Sequence, residues 1–187
     1  MLFVVLITLF LNQKLFMRSL FLLSIASSFV LFACGQQDKS KRPSPPAISR
    51  ETLTNGTVVT IDYSQPSVKG RTIGKDLEPM PGKVWRTGAN EATVFEVSKA
   101  VKVEGQNLPA GKYGLFTIAN EGEWTIIFNK TWKQDGASKY KEADDALRVK
   151  VKPGKAEKFA EKMTFMIGKD GIVTLLWGDI KVNFTVA

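Results

Sequence analysis

Histidine is absent from this 187-residue chain, and Cys34 is its only cysteine. Without histidine there is no Ser-His-Asp or Cys-His arrangement, no imidazole general acid or base, and no zinc site of the Cys/His type. A lone cysteine also excludes a disulfide within the chain. Chemistry, if there is any, falls to carboxylates, lysines, tyrosines or serines. Glu142, Asp144 and Asp145 lie close together but lack the alternating oxygen-ligand spacing of a calcium loop. No metal and no cofactor is therefore expected.

Two further shortages narrow the class. An apolar run of about 20 residues, enough to span a bilayer, is missing, because Asn12, Gln13, Lys14 and Arg18 interrupt the only candidate. Concentrated charge is missing too. From Cys34 onward there are 24 basic and 18 acidic residues, a balance of +6, of which two charges sit in Asp38 to Arg42 and the rest are scattered. That pattern fits solubility and mild attraction to anionic surfaces, and it predicts no nucleic-acid partner.

The N-terminal part is legible. From Met17 the chain reads "MRSLFLLSIASSFVLFAC", with a basic start at Arg18, an apolar stretch, and a small-residue box ending at Cys34. This is the order of a secretory signal, and it resembles the bacterial lipoprotein signal, in which the thiol is acylated and becomes the new N-terminus. The expected partner is thus the lipid bilayer, gripped through Cys34 by more than one acyl chain, since a single chain anchors only marginally. Gly35 stands where, by resemblance to enterobacterial sorting, an aspartate would favour inner-membrane retention. Outer-membrane delivery, on the periplasmic or surface face, is the expectation. The organisation predicted is a signal over 1–33 with Met17 as an alternative start, a lipidated cysteine and flexible tether over 34–46, and one folded domain over 47–187.

Within 47–187 apolar residues alternate in segment after segment, with turn residues between them. "TVVTIDYS" places Val59, Ile61 and Tyr63 on one face, and "ATVFEVS" does the same with Phe95 and Val97. "AVKVE", "YGLFTIA", "WTIIFNK", "ALRVKVK", "MTFMIG", "IVTLLWG" and "IKVNFTVA" bring the candidates to nine. One short helix is predicted over 154–163, where Ala156, Phe159, Ala160 and Met163 fall at helical spacing after Pro153. Eight or nine short strands with one helix predict an all-β domain, a single β-sandwich or jelly-roll-like fold.

"VTIDYSQPSVKGR", "GKVWRTGANEAT", "LPAGKYGLFTI", "EWTIIFNK" and "LRVKVKP" occur in this order between Ser44 and Pro153. Together they resemble the bacterial lipoprotein family of domain of unknown function 2911. The resemblance implies an all-β, secreted or lipid-anchored protein, and implies no activity. The chain departs from it after "IIFNK", where relatives carry a compact tryptophan-glycine-aromatic loop and this chain has "TWKQDGASKYKEADD".

Three groups of residues are candidates for a site. Strand parity carried back from Phe95 puts Glu91 on the core face, where a carboxylate needs a partner, and Arg86 is the nearest cation. Either the pair locks a tight turn, or Arg86, Asn90 and Glu91 face a ligand with Trp85 as a wall. Asp62 and Arg71, in "DYSQPSVKGR", would join them if the two segments are neighbours. Asp62 and Glu91 could then act as a carboxylate pair on a glycoside, the chemistry of a histidine-free hydrolase. In the long connection from Thr131 to Ala146, Trp132 and Tyr140 either form an aromatic platform for a glycan or peptide or fold back onto the core. The favoured expectation is a binding or envelope-assembly module rather than an enzyme.

Overall fold

The structure, a computed structural model, describes residues 38–187; the signal segment and Cys34 lie outside the described residues. Eleven strands follow one another: β1 (Pro46–Thr52), β2 (Val58–Ser64), β3 (Val84–Trp85), β4 (Thr93–Val97), β5 (Val101–Val103), β6 (Gln106–Leu108), β7 (Gly111–Asn120), β8 (Glu123–Asn129), β9 (Asp145–Val151), β10 (Gly154–Ile167) and β11 (Ile172–Thr185). One antiparallel sheet runs in the order β1-β2-β4-β7-β8-β9, with β3 added on β7. β10 and β11 form a long ribbon and β5 and β6 a short hairpin, joined by the bridge between Val103 and Val186. Among the described residues no helix is long and apolar enough to cross a membrane.

The alternation read from the sequence is what builds the core. Val59, Ile61 and Tyr63 of β2, Phe95 and Val97 of β4, and Ile126 and Phe128 of β8 are buried against Met163, Phe165, Leu175, Trp177 and Phe184 of the ribbon. The result is an all-β sandwich in which sheet and ribbon enclose one core. Phe95 and Phe128 meet edge-on at 4.9 Å, and Phe184 of the ribbon approaches both, at 6.2 and 6.0 Å. Such aromatic pairs contribute about 0.5–1.5 kcal/mol each beyond their burial.

The helix expected over 154–163 is a strand, part of β10. Ala156 and Met163 are both buried although seven residues separate them, a spacing that an uninterrupted strand would send to opposite faces. Bulges resolve this: between Lys155 and Thr164 nine steps along β10 face only four along β11, from Ile180 to Leu176. The helical spacing was thus the trace of a bulged strand. A ten-residue helix is marginal by itself, whereas pairing with β11 satisfies the backbone. The segments "IVTLLWG" and "IKVNFTVA" are likewise one strand, β11. β1, β3 and β6 carry no alternation strong enough to announce them. β1 in particular is an edge strand with no fully buried residue.

The two faces of the sheet are covered unequally. The ribbon covers the inner face. On the outer face, Ala92, Phe116 and Ile127 form a second small cluster, with Ala137 and Tyr140 of the connection 130–144 packed on it. Over β1, β2 and β4 no such layer lies on the outer face among the described residues. The cross-strand row Ile48, Asp62, Val94, Gly114 passes from bare to covered sheet.

Candidate functional site

"WRTGANE" is the scaffold of a turn. Thr87 and Asn90 adopt positive φ values of 52° and 56°, which end the extended geometry before β4 begins. The turn is tied from within: Trp85 Nε1 donates to the Gly88 carbonyl at 3.0 Å, and Thr93 Oγ1 to that of Thr87 at 2.8 Å. Trp85 is buried in the core. Asn90 Nδ2 donates to the Ser44 carbonyl at 3.0 Å, fastening the segment that precedes β1. Arg86 packs against Gly136, where a Cβ would stand 2.9 Å from its Nη1, and its buried Nε has no hydrogen-bond partner. Trp85 and Arg86 do not line the groove that Glu91 lines, and Glu91 pairs with Lys39 and Arg42 rather than with Arg86.

The expected inward Glu91 is corrected as well. Parity holds through Thr93, which is buried, and fails beyond it because the chain leaves the sheet to bridge Asp135. The Glu91 side chain is 45% exposed and pairs with Lys39 at 2.9 Å and Arg42 at 3.0 Å. These cations come from the stretch expected to be a loose tether. It forms a 3-10 turn at Lys39–Lys41 and is held to the domain by Glu91 and Asn90.

Glu91 and Asp62 do converge, in a groove of about 620 Å³ on the bare part of the outer face. Ile48, Asp62 and Val94 form its floor, Trp132 to Asp135 and Lys139 one wall, and Lys39, Arg42 and Glu91 one end. Gly114 explains the wall. A Cβ there would stand 2.7 Å from Phe116 Cε2, 3.3 Å from the Thr131 carbonyl oxygen and 3.4 Å from Trp132 Cα, so a larger residue would displace the Phe116 ring and press on the connection. Trp132 is 37% exposed, with Lys112 Nζ 5.5 Å from its ring centre. Ile48, 67% exposed, is the large apolar residue most open to solvent among the described residues.

The two carboxyls in the groove are shifted in opposite directions. Burial raises Asp62, and the nearby charge of Glu91 adds to this while Lys39 and Lys112 offset it. Glu91 is lowered to about 2, first by its hydrogen bond with Lys39, then by its own backbone N–H and by Arg42. A carboxyl depressed on folding contributes stability that is fully present above its ordinary value and is lost as pH falls toward about 2. The contact of residues 39–42 with the domain should therefore weaken below about pH 4.5. Glu91→Gln should reproduce that release at neutral pH, read as several-fold faster tryptic cleavage after Lys41 with the melting temperature of the domain little changed.

The other candidates lie apart from the groove. Arg71 closes its own loop, donating to the carbonyls of Ser67 at 2.6 Å and Val68 at 3.1 Å. Tyr140 packs on Phe116 at 5.1 Å and belongs to a partly buried network beneath the wall. There Asp145 accepts from Asn129 Nδ2 at 2.7 Å, Tyr140 Oη at 2.8 Å and Arg148 Nε at 2.6 Å. Burial and Asp145 hold the Tyr140 hydroxyl up at about 12 against the pull of Arg148, so it stays a neutral donor. Sequence reasoning missed Lys39, Arg42, Ile48 and Val94, whereas Lys133, Gln134 and Asp135 were legible as polar contacts beside Trp132. Ile48, a lone apolar residue in a polar stretch, was the one available signal. Among the described residues no group of three Cys, His, Asp or Glu side chains is placed to hold a metal.

Residues 44–186 match the family described as a protein of unknown function, DUF2911, and the chain belongs to that family. Comparison with curated proteins and with solved structures gives no match.

Proposed function

We propose that this DUF2911 protein is a lipid-anchored protein of the bacterial envelope, at the outer membrane, whose β-sandwich is a binding module for a sugar or peptide ligand. The observation that carries the binding reading is the open groove on the uncovered outer face, with Trp132 in its wall and charged groups of both signs around it. Concave sites with an aromatic wall and a few convergent polar groups are where small ligands gain enough buried area to bind. The anchor reading rests on the sequence pattern ending at Cys34.

Both halves can be tested together. Cys34→Ser should move the protein from the membrane fraction to the soluble fraction and abolish labelling by a fatty acid; retention at the membrane would overturn the anchor. Trp132→Ala should leave the melting temperature within a few degrees, since the ring is partly exposed, yet remove saturation-transfer signals from soluble envelope glycan and peptide fragments. Unchanged signals would remove the groove from consideration.

A second reading, hydrolysis of a glycosidic bond, is favoured by one observation: two carboxyls in one groove with their acidities pushed apart. Asp62 would be the acid and Glu91 the base. It ranks second because Glu91 is engaged by both Lys39 and Arg42, which weakens it as a base. Its signature is release of reducing ends from an oligosaccharide, lost in Asp62→Asn.

A further inference from the structure

Resting on the groove as a binding site, we infer that its ligand is a neutral saccharide, set against Trp132 with a hydroxyl donating to Gln134 Oε1. Three observations separate this from a peptide or a polyion.

The first is an unspent acceptor. Gln134 lines the groove wall and is only 6% exposed. Its Nε2 donates to the Thr131 carbonyl at 2.5 Å, which fixes the orientation of the amide, and its backbone carbonyl accepts from Ala92 N–H at 3.0 Å. Oε1 is left buried with no partner. A buried acceptor without a donor is unfavourable, and a ligand that supplies an O–H gains from that deficit. Oε1 is shielded from bulk water, so this placement requires the neighbouring wall side chains to part before a ligand hydroxyl reaches it.

The second is the backbone beneath the groove. Its floor crosses β1, β2 and β4; β2 is paired with β1 and β4, and β4 with β2 and β7, while β1 is an edge strand paired only with β2. On β2 and β4 the N–H and C=O groups are committed, so a peptide lying across the floor cannot be recognised by adding a strand, and strand addition is left only to the outer edge of β1. Side chains must do the reading.

The third is charge. Lys39, Arg42, Lys133 and Lys139 face Asp62, Glu91 and Asp135, which leaves four cations against three anions around one groove. A nearly balanced set gives little attraction to a polyanion or polycation. Closely spaced donors and acceptors beside a half-exposed indole suit vicinal hydroxyls, each of which donates and accepts, on a ring with an apolar face.

The test uses the full chain in detergent, titrated by tryptophan fluorescence with neutral tetrasaccharides of β-1,4-glucose, α-1,4-glucose and β-1,4-N-acetylglucosamine, alongside uncharged hexapeptides. At least one tetrasaccharide is expected to bind. Trp132→Ala should weaken it by at least tenfold, and Gln134→Met by about five- to tenfold, the size of one hydrogen bond. Gln134→Met also removes the Nε2 donor to the Thr131 carbonyl, so the ligand contact is read as affinity falling while the melting temperature stays within a few degrees of the parent, and a larger drop in melting temperature would make Gln134 structural instead. Hexapeptide binding without saccharide binding would overturn the saccharide while leaving the groove a binding site. Binding of neither would overturn both, and saccharide binding indifferent to the two substitutions would overturn its placement.

Discussion

Asp145→Ala should lower the stability of the domain by about 3 kcal/mol and release the wall of the groove with it. The Asp145 side chain is only 8% exposed and accepts three hydrogen bonds, from Asn129, Tyr140 and Arg148. Removing one partner of a buried ion pair costs about 3–5 kcal/mol because the other charge is left uncompensated. The lower end applies, since Arg148 is partly exposed and keeps Glu142 at 3.1 Å. For a domain of this size the melting temperature should fall by roughly 6–12 °C. Asp145→Asn, which keeps the shape, should cost less. Hydrogen exchange should show the loss concentrated in residues 130–144, and saccharide affinity should fall along with the wall. If the melting temperature dropped while exchange in 130–144 stayed slow, the network would not be what holds the wall. The same network predicts an alkaline limb. Tyr140 is raised on folding to about 12, so its contribution is complete below its ordinary value near 10 and disappears as pH climbs between the two.

Trp177→Ala is expected to be costlier, about 3–5 kcal/mol, the range for deleting a large aromatic from a packed interior. Trp177 is fully buried in the ribbon, and its Nε1 donates to the Glu78 carbonyl at 2.8 Å. The substitution opens a cavity and strips the loop before β3 of its tie to β11. Trp177→Phe should recover much of the packing without the hydrogen bond, and the difference between the two variants in urea denaturation isolates that bond. Near-equal losses would mean that the indole N–H, rather than its volume, is what matters.

The strands that were readable are those with one buried face. β2, β4, β7 and β8 alternate because their inner residues meet the ribbon while their outer residues meet solvent or a thin cover. β1 was invisible because an edge strand with Ile48 facing the groove buries no residue fully. β10 was misread because its bulges change parity, which imitates a helical period over a short window. At the site, Asp62, Glu91 and Trp132 were legible as chemical types. The partner of Glu91 was not, since Lys39 and Arg42 lie about fifty residues before it in a stretch whose composition resembles a tether.

By itself the sequence determined the exclusion of histidine chemistry and of a disulfide within the chain, and the all-β class, because each of these depends on residue type or on a period of two. Tertiary structure decided which charges meet. Thr87 and Asn90 turn the chain away from the strand, Gly114 leaves room for the Phe116 ring beneath the connection, and the groove exists where the described residues leave the outer face uncovered. Contacts between residues distant in the chain are set by backbone turns and by close approach, and neither leaves a periodic trace in the sequence.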